Sequence, residues 1–151
     1  MHLSSLYLLQ HLDLGLNRIG AESVEVWGPH LTSLTSLQHL ELYSNLIGTD
    51  GATALALHLG SLTALQYLGL GYNGVGCKGA KALAPHLARL KALQHLDLGS
   101  NEIGSKGAKA LVSQLAGLRL LRHLEMRGNS IGTQVKEDCR SKLLAVEHLE
   151  M

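Results

Sequence analysis

Imidazole and carboxylate recur together along this chain. His11 stands two residues before Asp13, His39 before Glu41, His95 before Asp97 and His123 before Glu125. Such pairs are the material of general acid–base work, zinc ligation and pH switching, because imidazole titrates near neutrality and both groups bind metals. In the middle copy Tyr67 takes the histidine place and Gly69 the acid place. The copies fall 28 residues apart, a spacing that arrays the groups side by side instead of gathering them around one point.

That spacing belongs to the whole chain. Asn17, Asn45, Asn73, Asn101 and Asn129 mark five copies of Leu-x-x-Leu-x-Leu-x-x-Asn-x-Ile-Gly, beginning at Leu9, Leu37, Leu65, Leu93 and Leu121, with Val75 and Met126 the only aliphatic swaps. Each copy opens with alternating apolar residues such as Leu40 and Leu42, the period of a half-buried strand. The Asn-x-Ile-Gly segment turns the chain, and its asparagine can satisfy backbone groups of the turn and the next coil. Gly51-Ala-Thr-Ala-Leu-Ala56 and its copies from Gly79 and Gly107 follow, with Ala52, Leu55, Leu59 and Leu62 at helical spacing. Pro29 and Pro85 share one helix position, where a kink or shortening is expected.

Strand, turn and helix in each unit require parallel strands joined by crossovers. His, Asp, Glu and Gly lie between the strand leucines, so one sheet face is polar and open and the helices occupy the other. Helices are about 10 Å wide and strands about 4.8 Å apart, so the stack must curve with the sheet inside. The predicted fold is an α/β solenoid, strands concave and helices convex.

Three columns then cross the concave face: His11, His39, Tyr67, His95 and His123; Asp13, Glu41, Gly69, Asp97 and Glu125; and Gly15, Tyr43, Gly71, Gly99 and Arg127, with Tyr72 at the loop position beyond. Three readings fit them. Tandem duplication copies surface residues as well as core, leaving solvated imidazoles. Clustered aromatic and charged side chains on a rigid scaffold suit protein binding, with Tyr43, Tyr67 and Tyr72 as the hot spot. Two imidazoles and a carboxylate could bind zinc or sense pH, but ligands on a flat strand face do not converge to a tetrahedron, and no metal is expected.

The repeat resembles that of leucine-rich-repeat proteins of the ribonuclease-inhibitor-like class. The Asn-x-Ile-Gly-x-x-Gly-Ala-x-Ala-Leu form is similar to repeats of NOD-like receptors and Ran GTPase-activating proteins. The resemblance covers residues 9–132, as units 9–36, 37–64, 65–92, 93–120 and a partial 121–132. Leu3 and Leu6 fit the tail of a preceding unit over residues 1–8. Residues 133–151, with Val135, Leu143 and Leu144, are expected to form a capping helix. The resemblance implies protein binding, with GTPase activation, another regulatory role or a piece of a larger receptor as alternatives.

Composition narrows the classes further. The formal net charge is +1, which disfavours a dedicated nucleic-acid binder. Residues 1–75 hold one base and five acids (−4), residues 76–151 twelve bases and seven acids (+5), so the rod should have an acidic and a basic end. No apolar run reaches the roughly 18 residues of a membrane span. Cys77 and Cys139 form no framework, and with the absence of a signal-like start a reducing, cytoplasmic setting is expected. Gly69-Leu-Gly-Tyr-Asn-Gly74 matches GxGxxG, but its first glycines precede the turn and Asn73 is a repeat asparagine, so no dinucleotide site is expected. No nucleophile elbow, HExxH or P-loop occurs. The sequence therefore predicts a non-catalytic protein-binding module without cofactor, its partner a protein, with neither nucleic acid nor membrane as target.

Overall fold

A computed structural model describes residues 7–151; Leu3 and Leu6 lie outside the described residues. The leucine alternation produces six three-residue strands, β1 (His11–Asp13), β2 (His39–Glu41), β3 (Tyr67–Gly69), β4 (His95–Asp97), β5 (His123–Glu125) and β6 (His148–Glu150). Between them run α1 (Ala21–Leu31), α2 (Gly48–Leu59), α3 (Gly76–Leu87), α4 (Gly104–Leu115) and α5 (Thr133–Lys142). All strands are parallel and pair in sequence order, β1 to β6, as one open sheet. The register never slips: His11 pairs with His39, His39 with Tyr67, Tyr67 with His95, His95 with His123 and His123 with His148.

Each helix packs on the next, and their inner faces close a single core with the strand leucines. Leu40, Leu68, Leu96 and Leu124 from the strands and Leu55, Leu83 and Leu111 from the helices are all essentially inaccessible. At roughly 1.5–3 kcal/mol for each fully buried leucine, this column is the dominant stabilising term. Small residues set the helix spacing. A Cβ on Gly79 would stand 3.0 Å from the Ala52 Cβ, so glycine lets α3 close onto α2.

The asparagines form a continuous buried ladder from Asn45 to Asn129. The Asn101 Oδ1 accepts the Asn73 and Val75 amides at 3.0 and 3.2 Å, and its Nδ2 donates to the Leu70, Leu98 and Gly99 carbonyls. Asn129 repeats the pattern on Asn101, Ile103 and Leu98. The Asn101 bonds to Leu98 and Gly99 serve its own turn as expected, but those between coils reach back to the preceding coil, not forward to the next. Asn17 is exposed and, among the described residues, donates within its own turn, to Leu14 and Gly15.

Two other expectations change. Pro85 does not shorten α3, which spans 12 residues like the proline-free α2 and α4. A proline so near the helix end removes one amide donor and little else. Residues 133–151 do more than end the array with a helix. After α5, which buries Val135 and Cys139 and stops before the exposed Leu144, the chain adds β6 to the sheet.

Candidate functional site on the concave sheet face

Parallel pairing in register turns each repeat position into a row across the sheet. The first row is a continuous stack of rings. Centroids lie 5.7 Å apart for His11–His39, 4.1 Å for His39–Tyr67, 4.8 Å for Tyr67–His95, 5.1 Å for His95–His123 and 4.3 Å for His123–His148. Interplanar angles of 27° or less keep the rings face to face, so ring edges point toward the groove. Burial first, and then the neighbouring His123, lower the pKa of His95.

The second row is Asp13, Glu41, Gly69, Asp97, Glu125 and Glu150. The Gly15, Tyr43, Gly99 and Arg127 amides donate to the acids two residues earlier, at 2.8, 2.8, 2.8 and 2.6 Å. Each carboxylate is thereby fixed against the strand end. Glu41 also reaches across to the next strand, where its Oε2 accepts the Tyr67 hydroxyl at 2.9 Å. Gly69 makes this bridge possible, since a Cβ there would fall 2.0 Å from the Glu41 Oε1. Burial and the Glu41 carboxylate push the Tyr67 phenol far above its ordinary value, so Tyr67 stays a donor.

Asp97 leans the same way. Its Oδ1 takes the Gly99 amide, and its Oδ2 overhangs Gly71, 2.9 Å from where a Cβ would stand. Burial raises its pKa. Among the described residues no Lys or Arg lies in salt-bridge range of Asp13, Glu41 or Asp97. At the far end one guanidinium serves two of the acids. Arg127 Nη2 meets the Glu125 Oε2 at 2.7 Å and its Nη1 the Glu150 Oε2 at 2.9 Å. Beside that end, Arg122 pairs with Glu147.

All twelve residues expected on this face lie on or just beyond β1 to β5. The structure splits the tyrosine cluster, however. Tyr43 and Tyr72 meet edge to face at 5.3 Å, while Tyr67 stacks between His39 and His95 and joins Tyr43 only through Glu41. Tyr72 also occupies a left-handed turn position, φ 56°, shared by Leu16, Ser44 and Ser100. Sequence reasoning missed His148 and Glu150. Their signal was legible: His148-Leu-Glu repeats His39-Leu-Glu and His123-Leu-Glu, at a spacing of 25 instead of 28.

Charge divides by face as well as by end. The sheet rows carry five carboxylates and one guanidinium, whereas Lys78, Lys81, Lys106 and Lys109 stand exposed on α3 and α4. Among the described residues no three His, Cys, Asp or Glu side chains are grouped to hold a metal ion, and no helix is long and apolar enough to cross a membrane.

A family profile described as Leucine Rich repeat matches residues 2–26, 29–56, 61–84 and 91–112. No curated protein matches the chain significantly. Among solved structures, the tropomodulin C-terminal domain of Caenorhabditis elegans superposes with a TM-score of 0.76 at 9% identity, over 95% of this chain and 90% of that one. A leucine-rich-repeat protein of Leptospira interrogans superposes with a TM-score of 0.59 at 24% identity, over 97% of this chain and 38% of its own length. These likenesses concern the fold. With two-thirds of its residues inside the profile and one parallel strand per repeat, the chain belongs to the leucine-rich-repeat family.

Proposed function

We propose that this chain is a non-catalytic interaction module that binds a protein on its concave sheet face. The leucine-rich-repeat fold supports protein interaction in general. The observation that carries the finer reading is the aromatic and acidic surface on the open side of the sheet: six stacked rings, an acid row, and the Tyr43–Tyr72 pair, with Tyr72 56% exposed. Half-apolar rings on a rigid support lose little freedom when covered, which makes them efficient contact residues. Tyr72 adds a second sign. A bulky residue at positive φ costs roughly 1 kcal/mol, and asparagine or glycine would hold that turn more comfortably.

Capture of partners from a lysate tests this with three forms of the chain. The concave variant Tyr43→Ser/Tyr72→Asn leaves the left-handed turn at ease, and Lys78→Gln/Lys106→Gln alters the helices. Partners lost by the first variant and kept by the second support the concave face; the opposite pattern overturns it. Circular-dichroism melts of both variants establish that each is folded.

A further inference from the structure

The chain shows how its acid row receives a cation. Arg127 lies across β5 and β6, its Nε donating to Glu125 at 2.9 and 3.2 Å and its Nη1 reaching Glu150 at 2.9 Å. Acids on neighbouring strands are therefore spaced to grip one guanidinium, whose planar fork suits bidentate carboxylate contact. On β4 one acid of the corresponding pair, Asp97, has no such partner among the described residues. Asp97 keeps Oδ2 clear of any donor among the described residues and overhangs Gly71, next to Tyr72. Tyr72, Asp97, Gly99, Ser100, Glu125 and Arg127 line one recess of about 280 Å³ there. Glu125 is already spoken for by Arg127, which leaves Asp97 as the unneutralised anion and Tyr72 as the aromatic wall.

Resting on the concave-face reading, we infer that the partner presents a basic, arginine-bearing segment, with one guanidinium seated in the recess between Tyr72 and Asp97. Charge complementarity continues from Asp97 toward β1, because among the described residues no Lys or Arg reaches Asp13 or Glu41 either. Arginine fits better than lysine here: it stacks on a tyrosine face while its fork meets the carboxylate. An acidic segment or nucleic-acid backbone would face the same carboxylates at a Coulombic penalty.

Fluorescence anisotropy at low salt tests this with a labelled Gly/Ser peptide carrying several arginines, and with its citrulline counterpart, which keeps the shape and loses the charge. The arginine peptide should bind saturably and the citrulline peptide at least tenfold more weakly. Asp97→Asn, which preserves an Oδ1 acceptor for Gly99, should weaken the arginine peptide about three- to tenfold, and so should Tyr72→Asn, while Lys106→Gln should not weaken it. Absence of saturable binding, equal affinity for both peptides, or indifference to Asp97→Asn and Tyr72→Asn each overturns the inference. If lysate partners still depend on Tyr43 and Tyr72 while the arginine peptide is ignored, the concave face stands and the basic partner falls. If the arginine peptide depends on Asp97 while lysate partners ignore Tyr43 and Tyr72, the seat stands and the concave reading of the natural partner falls.

Discussion

Replacing Asn101 by alanine should cost far more than the same change at Asn17, although both hold one repeat position. The Asn101 side chain is fully buried and accepts two amides, Asn73 and Val75, that have no other acceptor among the described residues. The three carbonyls it serves fare better. Leu70 keeps the Asn73 Nδ2, Leu98 keeps the Asn129 Nδ2, and Gly99 keeps the Tyr72 amide. The loss therefore falls on two buried donors at about 1–3 kcal/mol each, or roughly 3–5 kcal/mol once some relaxation is allowed. That is a large share of the net stability of a domain this size. Asn17 is exposed and among the described residues serves its own turn, so Asn17→Ala should cost under about 1 kcal/mol. Urea denaturation followed by circular dichroism measures both. A broadened transition for Asn101→Ala would indicate that the stack separates at that joint, since repeats are coupled only to their neighbours. Equal costs at the two positions would refute the view that the ladder works by satisfying the preceding coil.

Other expectations follow from single contacts. Gly69→Ala should displace the Glu41 carboxylate and lose the Tyr67 bond, costing about 1–2 kcal/mol in urea melts, and that cost should shrink in a Glu41→Ala background. Leu16→Gly, at φ 56° and on the surface, should stabilise by about 0.5–1 kcal/mol, whereas Gly128→Ala, at φ 71° and with its Cβ 2.5 Å from the Ser100 Oγ, should destabilise by about 1–2 kcal/mol in thermal melts. His95 binds a proton less readily folded than unfolded, where its ordinary value is 6.5. Below that pH the unfolded chain takes up more protons, so this contribution is whole above 6.5 and lost on acidification. Melts taken on either side of 6.5 should show wild type losing more stability than His95→Gln.

The scaffold was legible because strand alternation and a 28-residue period leave little freedom. Once Leu12, Leu40, Leu68, Leu96 and Leu124 point inward, His11, Glu41, Asp97 and their neighbours must share the open face. What stayed hidden depends on side chains meeting across strands. Nothing in the spacing says that Glu41 fills the room above Gly69, that Asp97 leans over Gly71, or that Arg127 reaches β6. β6 itself escaped because its unit is three residues short of the period. The direction of the ladder bonds is likewise a matter of three-dimensional reach, which a repeat count does not contain.

The imidazoles supply the most direct test of the concave face, since they report on both sides of the molecule. His11, His39, His95, His123 and His148 line the sheet, while His30, His58 and His86 belong to the helices. Proton NMR of the imidazole Cε1–H signals, recorded as a captured partner is titrated in, distinguishes the two sets. Binding on the concave face predicts shifts or broadening of the sheet histidines, centred on His95, with the helix histidines unmoved. Movement confined to His30, His58 and His86 would contradict it.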